Sequence, residues 1–228
     1  MRRYAFVLFA ILVAGYAGAT TYNSPQIDGT VSVGPSDWDE DEFLLDDAND
    51  DSRYHEADID DIYVTWDSTN FYIGVKTNLA PGGYGNGYVV FIDTDAHLAS
   101  ITGATDFTNA NFYPRHITFS GMGADLVIGG WSFQSPFDVR YCSDPTRTQR
   151  VPAFVSNFNP GMRSFEVMIP WASIYPDAEN VVAEGASLKI VVVSVGGDNS
   201  GAYDAAPNSS HDADGDGIPD ESDPDLAP

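Results

Sequence analysis

The sequence predicts an all-β protein, an antiparallel β-sandwich of jelly-roll type. Three observations carry that expectation. About ten short apolar stretches alternate or run on for strand length. Gly, Pro, Asn and Asp cluster between them, and no stretch shows convincing helical amphipathicity. At 228 residues, 43% hydrophobic and 13% aromatic, the chain can fill one sandwich core of generous size.

The N-terminus reads differently from the rest. Arg2 and Arg3 precede the apolar run Tyr4–Ala14, and Ala17-Gly18-Ala19 supplies a small-residue cleavage site. Residues 1–19 are therefore expected to be a secretory signal peptide. The run is shorter than the roughly 20 apolar residues of a membrane span, so no membrane insertion is expected. Residues 20–207 then form the sandwich domain and 208–228 an acidic tail. The expected location is secreted, extracellular or cell-surface.

From there the elements follow in order. Gln26-Ile27-Asp28-Gly29-Thr30-Val31 reads as an edge strand or turn, and Gly34–Asp51 as an acidic loop carrying Trp38 and the pair Phe43–Leu44. Ile62, Val64 and Trp66, then Phe71, Ile73 and Val75, line one face of a hairpin around Asp67-Ser68-Thr69-Asn70. Ala80–Gly87 is a glycine-rich turn, and Tyr88–Asp93 a buried strand ending in Asp93-Thr94-Asp95. Thr94–Asn111 shows no periodicity and reads as a long loop, which in a compact domain is often functional or mobile. His116–Phe119, Ala124–Ile128, Trp131–Phe133 and Asp138–Tyr141 read as short strands. Val151–Ser156 and Ser164–Ile169 make another pair, Pro170–Ile174 one helical turn, and Leu188–Val195 the last strand.

Charge bounds the partners. Loss of Arg2 and Arg3 leaves 8 of the 10 basic residues against 34 acidic ones, a net −26. Such a surface disfavours nucleic acid and anionic membranes and favours divalent cations. Asp37–Asp61 alone holds 13 carboxylates and one arginine, Arg53; the plain reading of that run is a soluble, repulsive surface. Cys142 is the single cysteine, expected to be a small buried hydrophobe rather than a reactive thiol.

The tail carries the sharpest motif. Asp212, Asp214 and Asp216 stand at positions 1, 3 and 5, Gly217 at 6, the Ile218 carbonyl at 7, Asp220 at 9 and Asp223 at 12. That is the oxygen-ligand spacing of a calcium loop. Pro219 and Pro224 argue against flanking helices, and the string DADGDGIPDESDPD resembles a thrombospondin type 3 calcium repeat. The competing reading is a disordered acidic tail. Asp93 and Asp95 could hold a second ion with Asp58, Asp60 or Asp61, or could simply cap turns.

The order of four segments resembles carbohydrate-binding module family 9 and the wider DOMON-type sandwiches. They are Ile27-Asp28-Gly29 followed by the acidic stretch with Trp38, the hairpin VTWDSTNFYIGVKT, the strand YVVFIDTD, and FEVMIPWASI followed by GASLKIVVVSV. Val192–Asn208 is similar to the C-terminal modules of glucodextranase-type enzymes. The long Thr94–Asn111 loop departs from the pattern. The resemblance implies sugar binding through aromatic platforms, often with structural calcium.

For stacking, Trp38 in its acidic loop, Trp131 after Gly129-Gly130, and Tyr84 in its glycine-rich turn are the exposed candidates. Trp66 is in phase with the core, and Trp171 reads as a packing residue. No nucleophile elbow, zinc-protease motif or Cys–His pattern is present, and the four histidines are scattered singly. Glu166 is the one isolated glutamate that could enter a glycosidase pair, but no catalytic role is expected. The expected function is a non-catalytic, calcium-stabilised module that binds extracellular glycan. The alternative is a structural cell-surface or adhesion component, assembled or rigidified by calcium, self-associating and without a sugar ligand. A third reading is an enzyme accessory domain that has lost its ligand.

Overall fold

The computed structural model describes residues 23–47, 58–78, 87–96, 102–119, 121–131, 136–176, 187–196 and 201–207. The hairpin is β2 (Ile59–Trp66) and β3 (Asn70–Thr77), antiparallel, with Trp66 opposite Phe71 and Val64 opposite Ile73. The Asp67 carboxylate closes its turn by accepting from the Thr69 and Asn70 amides at 2.6 and 2.8 Å. The short helix α1 (Trp171–Ile174) clamps the turn from outside: the Trp171 amide donates to the Thr69 carbonyl and its indole to that of Asp67, both at 2.9 Å.

Two antiparallel sheets stack on each other. The five-stranded sheet runs β1 (Phe43–Asp46), β2, β3, β9 (Ser164–Pro170), β8 (Val155–Asn159). The six-stranded sheet runs β11 (Ala202–Ala206), β10 (Lys189–Val195), β4 (Gly87–Asp93), β5 (Leu126–Trp131), β6 (Asp138–Tyr141), β7 (Gln149–Arg150). Ile62, Val64, Phe71, Ile73, Val75, Phe165 and Val167 of the first sheet meet Tyr88, Val90, Ile92, Ile128 and Val192 of the second in one core. Phe137 stacks on Phe165 across the gap, with ring centroids 4.0 Å apart. Period-2 alternation on each strand dictates which residues enter this layer.

Both outer faces are covered as well, which explains the near-continuous apolar runs of β4 and β10: each strand buries both of its faces. The segment 26–38 lies over the five-stranded sheet, placing Val31 and Trp38 against Tyr63 and Tyr72. The segments 102–119 and 121–124 lie over the six-stranded sheet, where Phe107 and Phe119 close on Phe91 with centroids 4.6 and 5.1 Å away. The stretch expected to be a long loop is thus a structural cover in its described part. His116–Phe119, expected as a strand, contributes a single bridge between Thr118 and Asp106. Gln26–Val31, expected as an edge strand or a turn, bends at Asp28-Gly29 and forms no strand, while Phe43–Asp46, expected inside a loop, is β1, and β11 is a strand beyond those expected. Cys142 is buried, its thiol donating to the Ala124 carbonyl. No helix among the described residues is long and apolar enough to cross a membrane.

Candidate functional site

Three carboxylates meet at one end of the six-stranded sheet. Asp93 is the last residue of β4, Asp95 follows two residues later, and Asp125 immediately precedes β5. The antiparallel register sets Ile92 against Leu126, so the two strand ends carry their acids to the same place. One oxygen from each lies within 4.8 Å of the others. The Thr94 amide and hydroxyl donate to one Asp125 oxygen at 2.9 and 2.7 Å. The Asp95 and Gly123 amides donate to Asp93 at 3.1 and 3.3 Å. Burial first, then mutual repulsion, pushes the Asp93 and Asp125 carboxyls above the ordinary aspartate range, against those hydrogen bonds. Tyr175, whose hydroxyl donates to the Thr94 carbonyl at 2.8 Å, is pushed up to about 12 by burial and then by the same three acids.

Hard oxygen ligands crowded in a half-buried corner could hold a metal ion, since a cation would offset both the repulsion and the desolvation. The expected partners of Asp93 and Asp95 are corrected here. Asp60 and Asp61 belong to the other sheet and group instead with Asp46, through the pairing of β1 with β2. Asp61 is already engaged by the Lys76 ammonium at 2.8 Å. Asp58 is buried next to β2 and is not one of this group. Asp125 was invisible to motif reading because its link to Asp93 is a strand pairing, not a spacing.

The exposure expected of Trp38 is also overturned: it is 0% exposed. Its indole donates to the Glu166 carboxylate at 2.7 Å, and the Gly29 amide donates to the other oxygen of that group at 2.7 Å. Trp38 is therefore packing that fastens segment 26–38 to the sheet, not a platform for ligand. Glu166 is enclosed with it, pushed up to about 7 by burial. Tyr84 and the tail ligands Asp212, Asp214, Asp216, Ile218, Asp220 and Asp223 lie outside the described residues.

Trp131 ends β5 partly exposed, on the covered face of the six-stranded sheet. A Cβ on its neighbour Gly87 would stand 3.1 Å from Trp131 Cε3 and 3.2 Å from Tyr113 Cε1, so the two rings share the space above that glycine. Gly129 is the seat of Tyr113: a Cβ there would lie 2.5 Å from Cε2 of the ring. Tyr113 takes a left-handed backbone, φ 51°, rare for a bulky residue. Phe112 packs edge-on against it, centroids 4.8 Å apart, and the Arg140 guanidinium lies 4.4 Å over the Phe112 ring. Phe112, Tyr113 and Trp131 are each half-buried. Sequence reasoning found Trp131 but missed Phe112 and Tyr113, whose one signal is an adjacent aromatic pair inside an aperiodic stretch.

The chain is thus an all-β sandwich with an acidic strand-end cluster suited to holding a metal ion and a partly exposed aromatic row on one covered face. No protein-family model matches it, and no curated protein matches it.

Proposed function

We propose that this protein is an exported, non-catalytic carbohydrate-binding module whose fold is stabilised by calcium. The observation that carries the reading is the placement of Trp131 and Tyr113, two partly exposed rings that both lie over Gly87, Tyr113 also over Gly129 and beside the Arg115 guanidinium, 5.4 Å from its ring centre. Aromatic faces stack on the apolar faces of pyranose rings, and rings held by packing lose little conformational entropy on binding. Calcium is the cation assigned to Asp93, Asp95 and Asp125, because several oxygen ligands in an irregular arrangement suit its flexible coordination. The tail motif Asp212–Asp223 is a second calcium candidate.

The test is a glycan array probed with the calcium-loaded protein, followed by titration of the hits against Trp131→Ala. A saccharide whose binding disappears in that variant, with a cooperative thermal transition retained, supports the module. A blank array together with a calcium-dependent rise in melting temperature would instead favour a structural cell-surface component.

A further inference from the structure

The aromatic row continues into cationic side chains. Segment 115–150 holds four of the chain's 10 basic residues and three of its 34 acidic ones, in a protein of net charge −24. Arg140 on β6 and Arg150 on β7 are directly paired across their strands. They share the Asp138 carboxylate, at 3.0 and 2.6 Å, so two guanidiniums face one acid and one positive charge is left over. Arg140 is itself the guanidinium lying over Phe112, and the Arg150 side chain is 68% exposed. Trp131 and Tyr113 thus flank the space over Gly87, Phe112 packs on Tyr113 and under Arg140, and Arg140 shares Asp138 with Arg150.

We infer that this strip takes an anionic saccharide, with sugar rings on Trp131 and Tyr113 and a carboxylate or sulfate group on the Arg140–Arg150 pair. The inference rests on the aromatic row being the glycan site. Planar guanidiniums suit both anions, which they bind through paired N–H donors. The overall negative charge does not forbid this. At physiological ionic strength the screening length is about 8 Å, so the anionic group responds to the local excess of arginine rather than to distant carboxylates.

The experiment uses the full chain in calcium and three oligosaccharides of equal length: neutral cello-oligosaccharide, oligogalacturonate, and a sulfated chondroitin fragment. Calorimetric titration should show at least one anionic ligand binding about tenfold more tightly than the neutral one, as expected for a charge-assisted contact. The preference between uronate and sulfate identifies the anion. Arg150→Gln should abolish that advantage, so that anionic and neutral ligands bind the variant alike. Asp138→Asn, which removes the competing carboxylate, should tighten anionic binding several-fold. Equal binding of neutral and anionic ligands, with both lost in Trp131→Ala, would overturn the charge inference and keep the glycan module. No binding of any of the three, with a blank array, would overturn both.

Discussion

The Trp38 indole donates a 2.7 Å hydrogen bond to the Glu166 carboxylate, and neither side chain is exposed. This one contact ties residues that stand 128 positions apart and holds the N-terminal cover on the outer face of the five-stranded sheet. It also makes Glu166 a reporter of that docking.

Burial pushes the Glu166 carboxyl up to about 7, from 4.5 for the free group, although Trp38 and Gly29 donate to it. The unfolded chain therefore gives up this proton at lower pH than the folded one. The Glu166 contribution is fully present below about pH 4.5 and is lost as pH rises to about 7, on the order of 3 kcal/mol in all. Urea denaturation of the parent and of Glu166→Gln at intervals from pH 5 to 8 checks this. The variant should show a flatter profile than the parent, and parallel profiles would count against the assignment.

Two tryptophans that look alike in sequence should behave in opposite ways. Trp38→Ala removes a fully buried side chain and should cost about 3–5 kcal/mol of stability. Trp131→Ala removes a half-exposed ring and should cost clearly less while abolishing saccharide binding. Paired denaturation and titration of both variants would separate them; similar stability losses would contradict the burial difference.

Calcium should raise the melting temperature, with stabilisation of about 2.7 kcal/mol at a hundredfold excess over its dissociation constant. Asp125→Asn should remove the part of that rise due to the strand-end cluster and slightly stabilise the metal-free protein by relieving repulsion. Asp216→Asn should remove only what the tail supplies. Since Asp93 and Asp125 titrate above the ordinary range, the calcium response of the cluster should weaken as pH falls through those raised values. A response unchanged in Asp125→Asn would move calcium away from this corner.

Gly129→Ala places a methyl 2.5 Å from the Tyr113 ring, a distance no carbon pair tolerates. Tyr113 sits on the outer face, so it should tilt rather than unfold the sheet. The expected result is a modest destabilisation, about 1–3 kcal/mol for overpacking, with a larger loss of saccharide affinity. Affinity that survives a displaced Tyr113 would leave Trp131 as the sole platform.

What the sequence by itself determined is local. The hairpin Ile59–Thr77 follows from strict alternation and from an Asp-Ser-Thr-Asn turn whose aspartate can cap it, because strand period and turn chemistry act over a few residues. The same holds for β4, β6, β9 and the helical turn after Pro170. Tertiary structure decided which faces are covered and which acids meet. Trp38, in a polar acidic stretch, looked exposed; a partner far along the chain, Glu166, takes it into the interior. Asp125 joins Asp93 because antiparallel register brings two strand ends together, and Tyr113 and Trp131 flank one space because glycines on β4 and β5 leave room for the Tyr113 ring. Each of these is a pairing between segments remote in sequence, and no short-range pattern encodes it.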